Sequence, residues 1–309
     1  MTTLPPHAER TRQQSDLWSS KARTWSRWAR PLEAMATRFN EILTEAAGVT
    51  PGARVLDLAG GAGEPAMTLA RKVGDDGFVV STDLVPAMLP TIRERGREAG
   101  LGGVLTVAAA DMEHLPFAPA SFDAVVSRFG VMFAPHTQAV ADGIRRVLRP
   151  GGRTALMIWT TREASTMLEV LGTAVEAELG VEPAHPDALG PFRFGSCTRL
   201  PDALTRAGLT GVTAETHVFS PRPRLADDFW RPQLDMSWGH RLDARPEARP
   251  AIETRIRTAF AALADAEGRV PLRAEMRVVS GVAPGGAGKF MAWQERWIPA
   301  FAGMTVLSG

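Results

Sequence analysis

Short apolar runs alternate with longer amphipathic stretches between residues 48 and 160. The short runs are typical of buried strands, and the longer stretches have helical spacing. In chain order the strands are RVLDLA, FVVSTD, VLTVAAAD, SFDAVVSR and RTALMIW, with helices over 64–73, 86–99 and 137–149. Such alternation predicts a parallel sheet with helices on both faces, and right-handed crossovers make the sheet doubly wound.

The flanking regions follow a different rhythm. Apolar residues at helical spacing over about 16–47 predict two helices, with Pro31 between them. Beyond Thr160 the pattern predicts further elements: a helix at 198–207, a strand at about 211–219, a helical stretch over 225–265 and a strand at about 271–281. We therefore predict an α/β fold with a doubly wound, mostly parallel sheet of seven strands, an N-terminal helical cover and helical lid insertions.

This reading divides the chain into four parts. They are an N-terminal helical cover at 1–47, a ligand-binding core at 48–160, a region at 161–281 with the lid insertions (161–197 and 222–268) and the last two strands, and a tail at 282–309. The tail breaks the pattern, and we expect it to be poorly ordered.

Composition excludes several classes of protein. Lys and Arg number 35 against 34 Asp and Glu, so no global charge favours nucleic acid. The single cysteine, Cys197, excludes an internal disulfide or a multi-cysteine metal site. The start of the chain lacks the apolar stretch of a signal peptide, and no run of 18 apolar residues occurs. We expect a cytoplasmic protein with no integral membrane segment; the oligomeric state is not set by the sequence.

The strongest local signal is a glycine-rich turn between the first strand and a helix opened by Pro65. Gly60, Gly61 and Gly63 let the backbone approach a ligand closely. The run from Gly61 to Ala66 also satisfies G-x-G-x-x-A, the dinucleotide fingerprint, so the turn alone leaves two cofactor classes open.

Three acids at strand ends narrow the choice between the two cofactor classes. Asp83 ends the second strand 20 residues after Gly63, where its oxygens can accept from ribose hydroxyls in either class. Asp57 lies before the glycines, and Asp111 follows the third strand. Asp57 would repel a pyrophosphate but would hold an ammonium group or backbone N–H groups. Charge thus favours a sulfonium cofactor, S-adenosylmethionine.

Four ordered motifs between Pro51 and Trp159 carry a family resemblance: VLDLAGGAG, STDLVPAML, AADMEHLPFAPASFDAV and RVLRPGGR. The chain resembles class I S-adenosylmethionine-dependent methyltransferases, in the group related to ubiquinone/menaquinone biosynthesis C-methyltransferases. The resemblance implies methyl transfer to a small-molecule acceptor, with S-adenosylhomocysteine as product. It also implies an adenine pocket from Leu84, Asp111 and Met112, a methionine pocket around Ala59, Gly61, Ser127 and Arg128, and further cofactor contacts from Asp57, Gly60, Gly63, Asp83 and Met88.

Two positions depart from that family's pattern. Gly60 stands where serine or cysteine is common, from which we expect a more mobile turn. His136 stands where an acid is common. Methyl displacement needs an acceptor held in line with water excluded, and a base where the acceptor must lose a proton. His136 is the candidate base; the alternative is that it caps the following helix.

Aromatic and apolar residues suggest the acceptor side. Trp28, Phe129, Met132 and Phe133 are candidate substrate contacts, although the last three are equally compatible with core packing. Trp25 and Trp28 predict the packed face of a lid helix, with a membrane or nucleic-acid surface as the alternative. Together with Phe192, Phe194, Trp230 and Trp238 in the insertions, they favour a hydrophobic or aromatic, quinone-like acceptor.

Two other functions stay open. A NAD-dependent oxidoreductase would share the glycine turn and Asp83, but this chain has no tyrosine for a Tyr-Lys constellation. A non-catalytic S-adenosylmethionine-binding protein would keep Asp83 and Asp111 without a substrate cavity. Gly288-Lys289 lacks the rest of a phosphate loop, and no H-E-x-x-H or G-x-S-x-G motif occurs, so we expect no metal and no serine nucleophile.

Overall fold

The computed structural model describes residues 7–31, 33–185 and 188–285. Residues 286–309, which make up most of the predicted tail and include Gly288-Lys289, lie outside these ranges. Within them, no helix combines the length and apolar composition needed to cross a membrane.

Nine helices and seven strands make up the described chain. The helices are α1 His7–Trp28, α2 Glu33–Ala46, α3 Ala66–Val73, α4 Leu89–Glu98, α5 Thr137–Val147, α6 Thr166–Leu179, α7 Arg199–Arg206, α8 Arg231–Ala244 and α9 Arg249–Leu263. The strands are β1 Arg54–Leu58, β2 Phe78–Asp83, β3 Leu105–Ala109, β4 Phe122–Arg128, β5 Leu148–Trp159, β6 Thr210–Phe219 and β7 Ala274–Val282.

The seven strands form one sheet in the order β3-β2-β1-β4-β5-β7-β6. The first five are parallel, and β7 runs antiparallel between β5 and β6. This confirms the predicted seven-stranded, mostly parallel α/β fold. Strand order reverses between β1 and β4, and in such sheets ligands bind at the carboxyl ends of the strands beside that point.

Two predicted helical stretches end differently in the structure. The stretch over 137–149 ends at Val147, and β5 begins at Leu148, which pairs with Phe122. Pro150 explains this, because the residue before a proline disfavours helical backbone. The stretch over 225–265 divides into α8 and α9 near Pro246, for the same reason.

Each face of the sheet is buried under helices. Leu56, Val125 and Leu156 lie in the core on one face, and neighbouring positions such as Val55 lie in the core on the other. A third apolar cluster joins α6, α8 and α9 around Trp230. Trp230 and Phe194 are both 0% exposed, so these two aromatics are core residues and not the acceptor-lining lid that we expected.

Candidate functional site

The glycine turn is held tightly at the carboxyl edge of the sheet. Ala59, Gly61 and Gly63 have φ of 56°, 56° and 109°, in the region that favours glycine. The Gly60 N–H donates to Thr82 O (2.8 Å) and the Gly63 N–H to Gly60 O (2.9 Å). A side-chain carbon on Gly60 would lie 2.0 Å from Ser81 Oγ. The expected mobility of this turn stays a prediction, but the structure gives Gly60 a steric reason.

Asp57 is fully buried beneath the turn. Ser81 Oγ donates to its Oδ2 at 2.7 Å. Burial raises the pKa of Asp57 to about 7, while the Ser81 hydrogen bond and the charge of Arg128 oppose the rise. Asp57 Oδ1 and Arg128 Nε are buried and have no hydrogen-bond partner within the described residues. Because buried polar atoms are normally paired, these two atoms mark a place for polar groups of a ligand.

A second network, which our sequence reasoning missed, fixes the turn from outside. Arg95 on α4 is buried and donates to Ala62 O (2.6 Å), Glu64 Oε1 (2.9 Å) and Glu33 Oε2 (3.1 Å). Asn40 on α2 donates to Glu64 Oε2 at 2.6 Å. The residues of this network lie up to 62 positions apart in the chain, so no local sequence motif predicts them.

Asp83 ends β2 directly beside the turn. Its Oδ2 accepts from the Gly61 N–H (3.0 Å) and its Oδ1 from the Val85 N–H (2.9 Å). Burial raises the pKa of Asp83, and the backbone hydrogen bonds oppose the rise. Half-buried Leu84 and buried Met88 follow in the short turn after β2.

Asp111 lies two residues beyond β3, at the same edge. Its Oδ1 accepts from the Glu113 N–H (2.9 Å), and its Oδ2 lies 3.0 Å from Nδ1 of exposed His114. Met112 is half-buried against the core. Ser127, by contrast, is 0% exposed and donates to Leu58 O at 3.0 Å, so it ties β4 to β1 instead of lining the site.

Helix α1 lies across this edge. An atom of the Trp25 ring is 3.9 Å from the position that a side chain on Gly61 would take. Trp18 packs edge-on against Trp25 (5.7 Å between ring centroids) and Phe133 (4.9 Å). With Ala22 these tryptophans cover Val85 and Met88. The predicted helical cover therefore lies over the glycine turn and the loop after β4.

His136 is the N-cap residue directly before α5, and Glu113 holds it. The His136 N–H donates to Glu113 Oε1 (2.5 Å), and its Nδ1 lies 3.0 Å from Oε2. Arg10 of α1 contacts Nε2. The His136 side chain makes no helix-capping hydrogen bond, so the capping alternative describes its position but not its contacts.

The structure places the four candidate substrate residues in different surroundings. Phe133 faces Trp18, as above, and Phe129 stacks on Trp159 with 4.4 Å between centroids. Met132 is 1% exposed in the core, and Trp28 Nε1 donates to Asp235 Oδ2 on α8 (3.2 Å). The structure does not bring Met132 or Trp28 to the site, because packing and the α8 contact direct them elsewhere.

Comparison with known proteins defines the class. Residues 55–152 match the family model described as "Methyltransferase domain". The predicted resemblance is confirmed over this range: the core of the chain is similar to methyltransferase domains, and its sheet has the Rossmann-like fold that such domains share.

The relatives share this core. Protein Rv1405c of Mycobacterium tuberculosis is 44% identical over 128 residues, 41% of this chain and 45% of that protein. The ubiquinone/menaquinone biosynthesis C-methyltransferase UbiE of Pseudomonas putida is 41% identical over 113 residues, 37% of this chain and 44% of that protein. The chain thus spans about half the length of the curated relatives it matches.

Solved structures share the fold over a longer part of the chain. The YcgJ protein of Bacillus subtilis superposes with a TM-score of 0.54 at 17% identity, covering 80% of this chain and 98% of that one. The [4+2]-cyclase SpnF superposes with a TM-score of 0.50 at 19% identity and 81% coverage of both chains. One fold therefore serves different reactions, and the reaction must be argued from the site.

Proposed function

We propose that this chain transfers a methyl group from S-adenosylmethionine to a small or medium-sized aromatic acceptor with a quinol-like ring. The unpartnered atoms of Asp57 and Arg128 beside the glycine turn carry the proposal. The methionine part of the cofactor has an ammonium and a carboxylate, which complement an acid and a guanidinium. A dinucleotide pyrophosphate offers no cation to Asp57, and this argues against a nicotinamide cofactor.

The other strand ends complete the cofactor site. Asp83 already accepts two backbone N–H groups, and each carboxylate oxygen keeps a lone pair for a ribose hydroxyl. We assign Leu84, Met88 and Met112 to the adenine faces. Asp111 Oδ2 would accept from the exocyclic amine in place of His114, whose side chain is exposed.

The acceptor site belongs beside Trp18, Phe129 and Phe133, in the loop after β4. These rings offer an apolar wall for a planar acceptor, and α1 excludes water from the displacement. The printed names of the UbiE relatives support a quinone-related ring. Where the acceptor must lose a proton, His136 takes it at Nε2, which the acceptor hydroxyl reaches by displacing Arg10, while Glu113 holds Nδ1.

The test is transfer of labelled methyl from S-adenosylmethionine to 1,4-naphthoquinol and other hydroxylated arenes. Wild type and Asp75→Asn, an exposed acid near the opposite end of β2, should yield labelled product, and Asp83→Asn should not. If S-adenosylhomocysteine binds but no arene is labelled, the acceptor class is wrong. If S-adenosylhomocysteine does not bind, the methyl-transfer proposal itself fails.

A further inference from the structure

The side of α1 that faces α8 adjoins the aromatic wall. Gln14, Lys21 and Trp28 are spaced by seven residues and so lie along one side of the helix. Trp28 bonds to Asp235, and Lys21 Nζ donates to Ser237 O at 3.1 Å, so this side contacts α8. Lys21 Nζ also lies 5.0 Å from the centre of the Trp18 ring, which packs against Phe133 as well. The ammonium group therefore stands where α1, α8 and the proposed acceptor wall meet.

Positive charge accumulates at this junction. Ser237, His240 and Arg241 are three and four residues apart, which places them on one face of α8 next to Lys21. Burial, and then the charge of Arg241, lower the pKa of Lys21 to about 8. Burial, Lys21 and Arg241 lower the pKa of His240 to about 4, opposed by Asp243.

Polar atoms at the same junction lack partners. His240 Nδ1 is buried with no hydrogen-bond partner within the part of the chain that the structure describes, and the same holds for Gln14 Oε1, two turns away from Lys21 on α1. Lys21 has three N–H donors and bonds one carbonyl oxygen there. Buried groups of this kind are normally satisfied. An anionic ligand would accept hydrogen bonds from Lys21 and from the neutral His240 ring, and it would relieve the repulsion between Lys21 and Arg241.

We propose that the acceptor carries an anionic oxygen group, a carboxylate or a comparably acidic hydroxyl, bound by Lys21 and His240 while its ring lies against Trp18 and Phe133. This inference rests on the proposed function, since it names the chemical class of that acceptor. Gln14 lies two turns from Lys21 on the same side, and its Oε1 would accept a hydrogen bond from a hydroxyl group of the same molecule. The anionic group binds non-covalently.

Calorimetric titration with 2-naphthoate and 2-naphthamide, at saturating S-adenosylhomocysteine and pH 6.5, tests the proposal. The two probes share one shape and differ in charge. Wild-type protein should bind the carboxylate about tenfold or more tightly than the amide, as expected for a charge-assisted contact. Lys21→Met should remove the difference, and Lys72→Met, an exposed lysine on α3, should retain it. Equal affinity for both probes in wild type, or an undiminished difference in Lys21→Met, would overturn the assignment.

Proton uptake gives a readout on the unaltered protein. A bound carboxylate raises the pKa of Lys21, so binding of 2-naphthoate at pH 8.5 should take up a fraction of a proton, and less at pH 6.5, where Lys21 is already charged. Titrations in buffers of different ionisation enthalpy measure it. Absence of uptake at pH 8.5 contradicts the site. If S-adenosylhomocysteine binds but the protein does not discriminate between the two probes, the anionic-acceptor proposal is wrong and the proposed function stands. If S-adenosylhomocysteine does not bind, the proposed function is wrong.

Discussion

Asp57 carries a titratable proton inside the folded protein near neutral pH. Burial lifts its pKa from 3.8 to about 7, so between these values the folded chain holds a proton that the unfolded chain has lost. The stability that this proton contributes is full below pH about 4 and is lost as pH rises through about 7. Asp57→Asn removes the titration. Thermal unfolding of both proteins at pH 5 and pH 8 should show that wild type loses stability relative to the variant as pH rises. If the difference in stability between the two proteins is the same at both pH values, Asp57 does not have the raised pKa.

Gly60 and Ser81 compete for one volume. Gly60→Ala would place a carbon 2.0 Å from Ser81 Oγ, and such overpacking costs about 1–3 kcal/mol. Removing the hydroxyl relieves this shortest contact and leaves Asp57 Oδ2 at 2.7 Å, so Gly60→Ala should cost less free energy of unfolding in a Ser81→Ala background. A double-mutant cycle by urea denaturation measures this coupling. Additive effects would show that the contact does not constrain the turn.

Substitutions of His136 and Glu113 should lower kcat to different extents, because the two residues have different roles. His136→Asn should lower kcat by about 10²–10⁴, because the base is gone. Glu113→Gln keeps a group of similar size and should lower kcat less, since Glu113 only positions the imidazole. S-adenosylhomocysteine affinity should hold in both, and His217→Asn on β6 serves as the matched control. An unchanged kcat in His136→Asn removes His136 from the mechanism.

The sequence located the acids but not their partners. Asp57, Asp83 and Asp111 could be predicted because the carboxyl ends of parallel strands share an edge. The pairing of Asp57 with Ser81 depends on side-chain packing between two strands, and no spacing in the chain reports it. The sequence left Met132 open between core and pocket and Trp28 open between a packed face and a substrate contact, because an apolar residue looks alike in a core, a lid or a pocket.

At the scale of elements, Arg95 joins α4 and α2 to the glycine turn. Arg95→Met would leave Glu64 buried without its cation, and breaking such a pair costs about 3–5 kcal/mol. We expect loss of stability in urea denaturation together with weaker S-adenosylhomocysteine binding, because the turn loses its outer support. Arg97→Met, exposed on the same helix, should change neither. Normal affinity in a stable Arg95→Met protein would contradict this role.

Element types followed from periodicity, whereas two boundaries did not. The alternation of apolar runs and amphipathic stretches predicted the five parallel strands and their crossover helices. Leu148 and Arg149 continue the helical pattern in sequence, yet both belong to β5, because Pro150 follows and Leu148 pairs with Phe122 of β4. Packing of α6, α8 and α9 around Trp230 into a separate cluster also depends on tertiary contacts that periodicity does not encode.

At the scale of the molecule, a sheet with one reversal of order sets the function. The reversal places the turn after β1 beside the loop after β4, so a ligand at one can reach a ligand at the other. Helix α1 covers both, from Trp25 over Gly61 to Arg10 at His136. This arrangement suits a transfer between two bound molecules in a site closed to water.

Calorimetric titration with S-adenosylmethionine, S-adenosylhomocysteine and NADH tests which cofactor the site binds. We expect micromolar binding of the two adenosyl ligands to wild type and to Asp75→Asn, loss of that binding in Asp83→Ala, and no binding of NADH. Binding of NADH alone would contradict this expectation and would make the chain a nicotinamide-dependent protein.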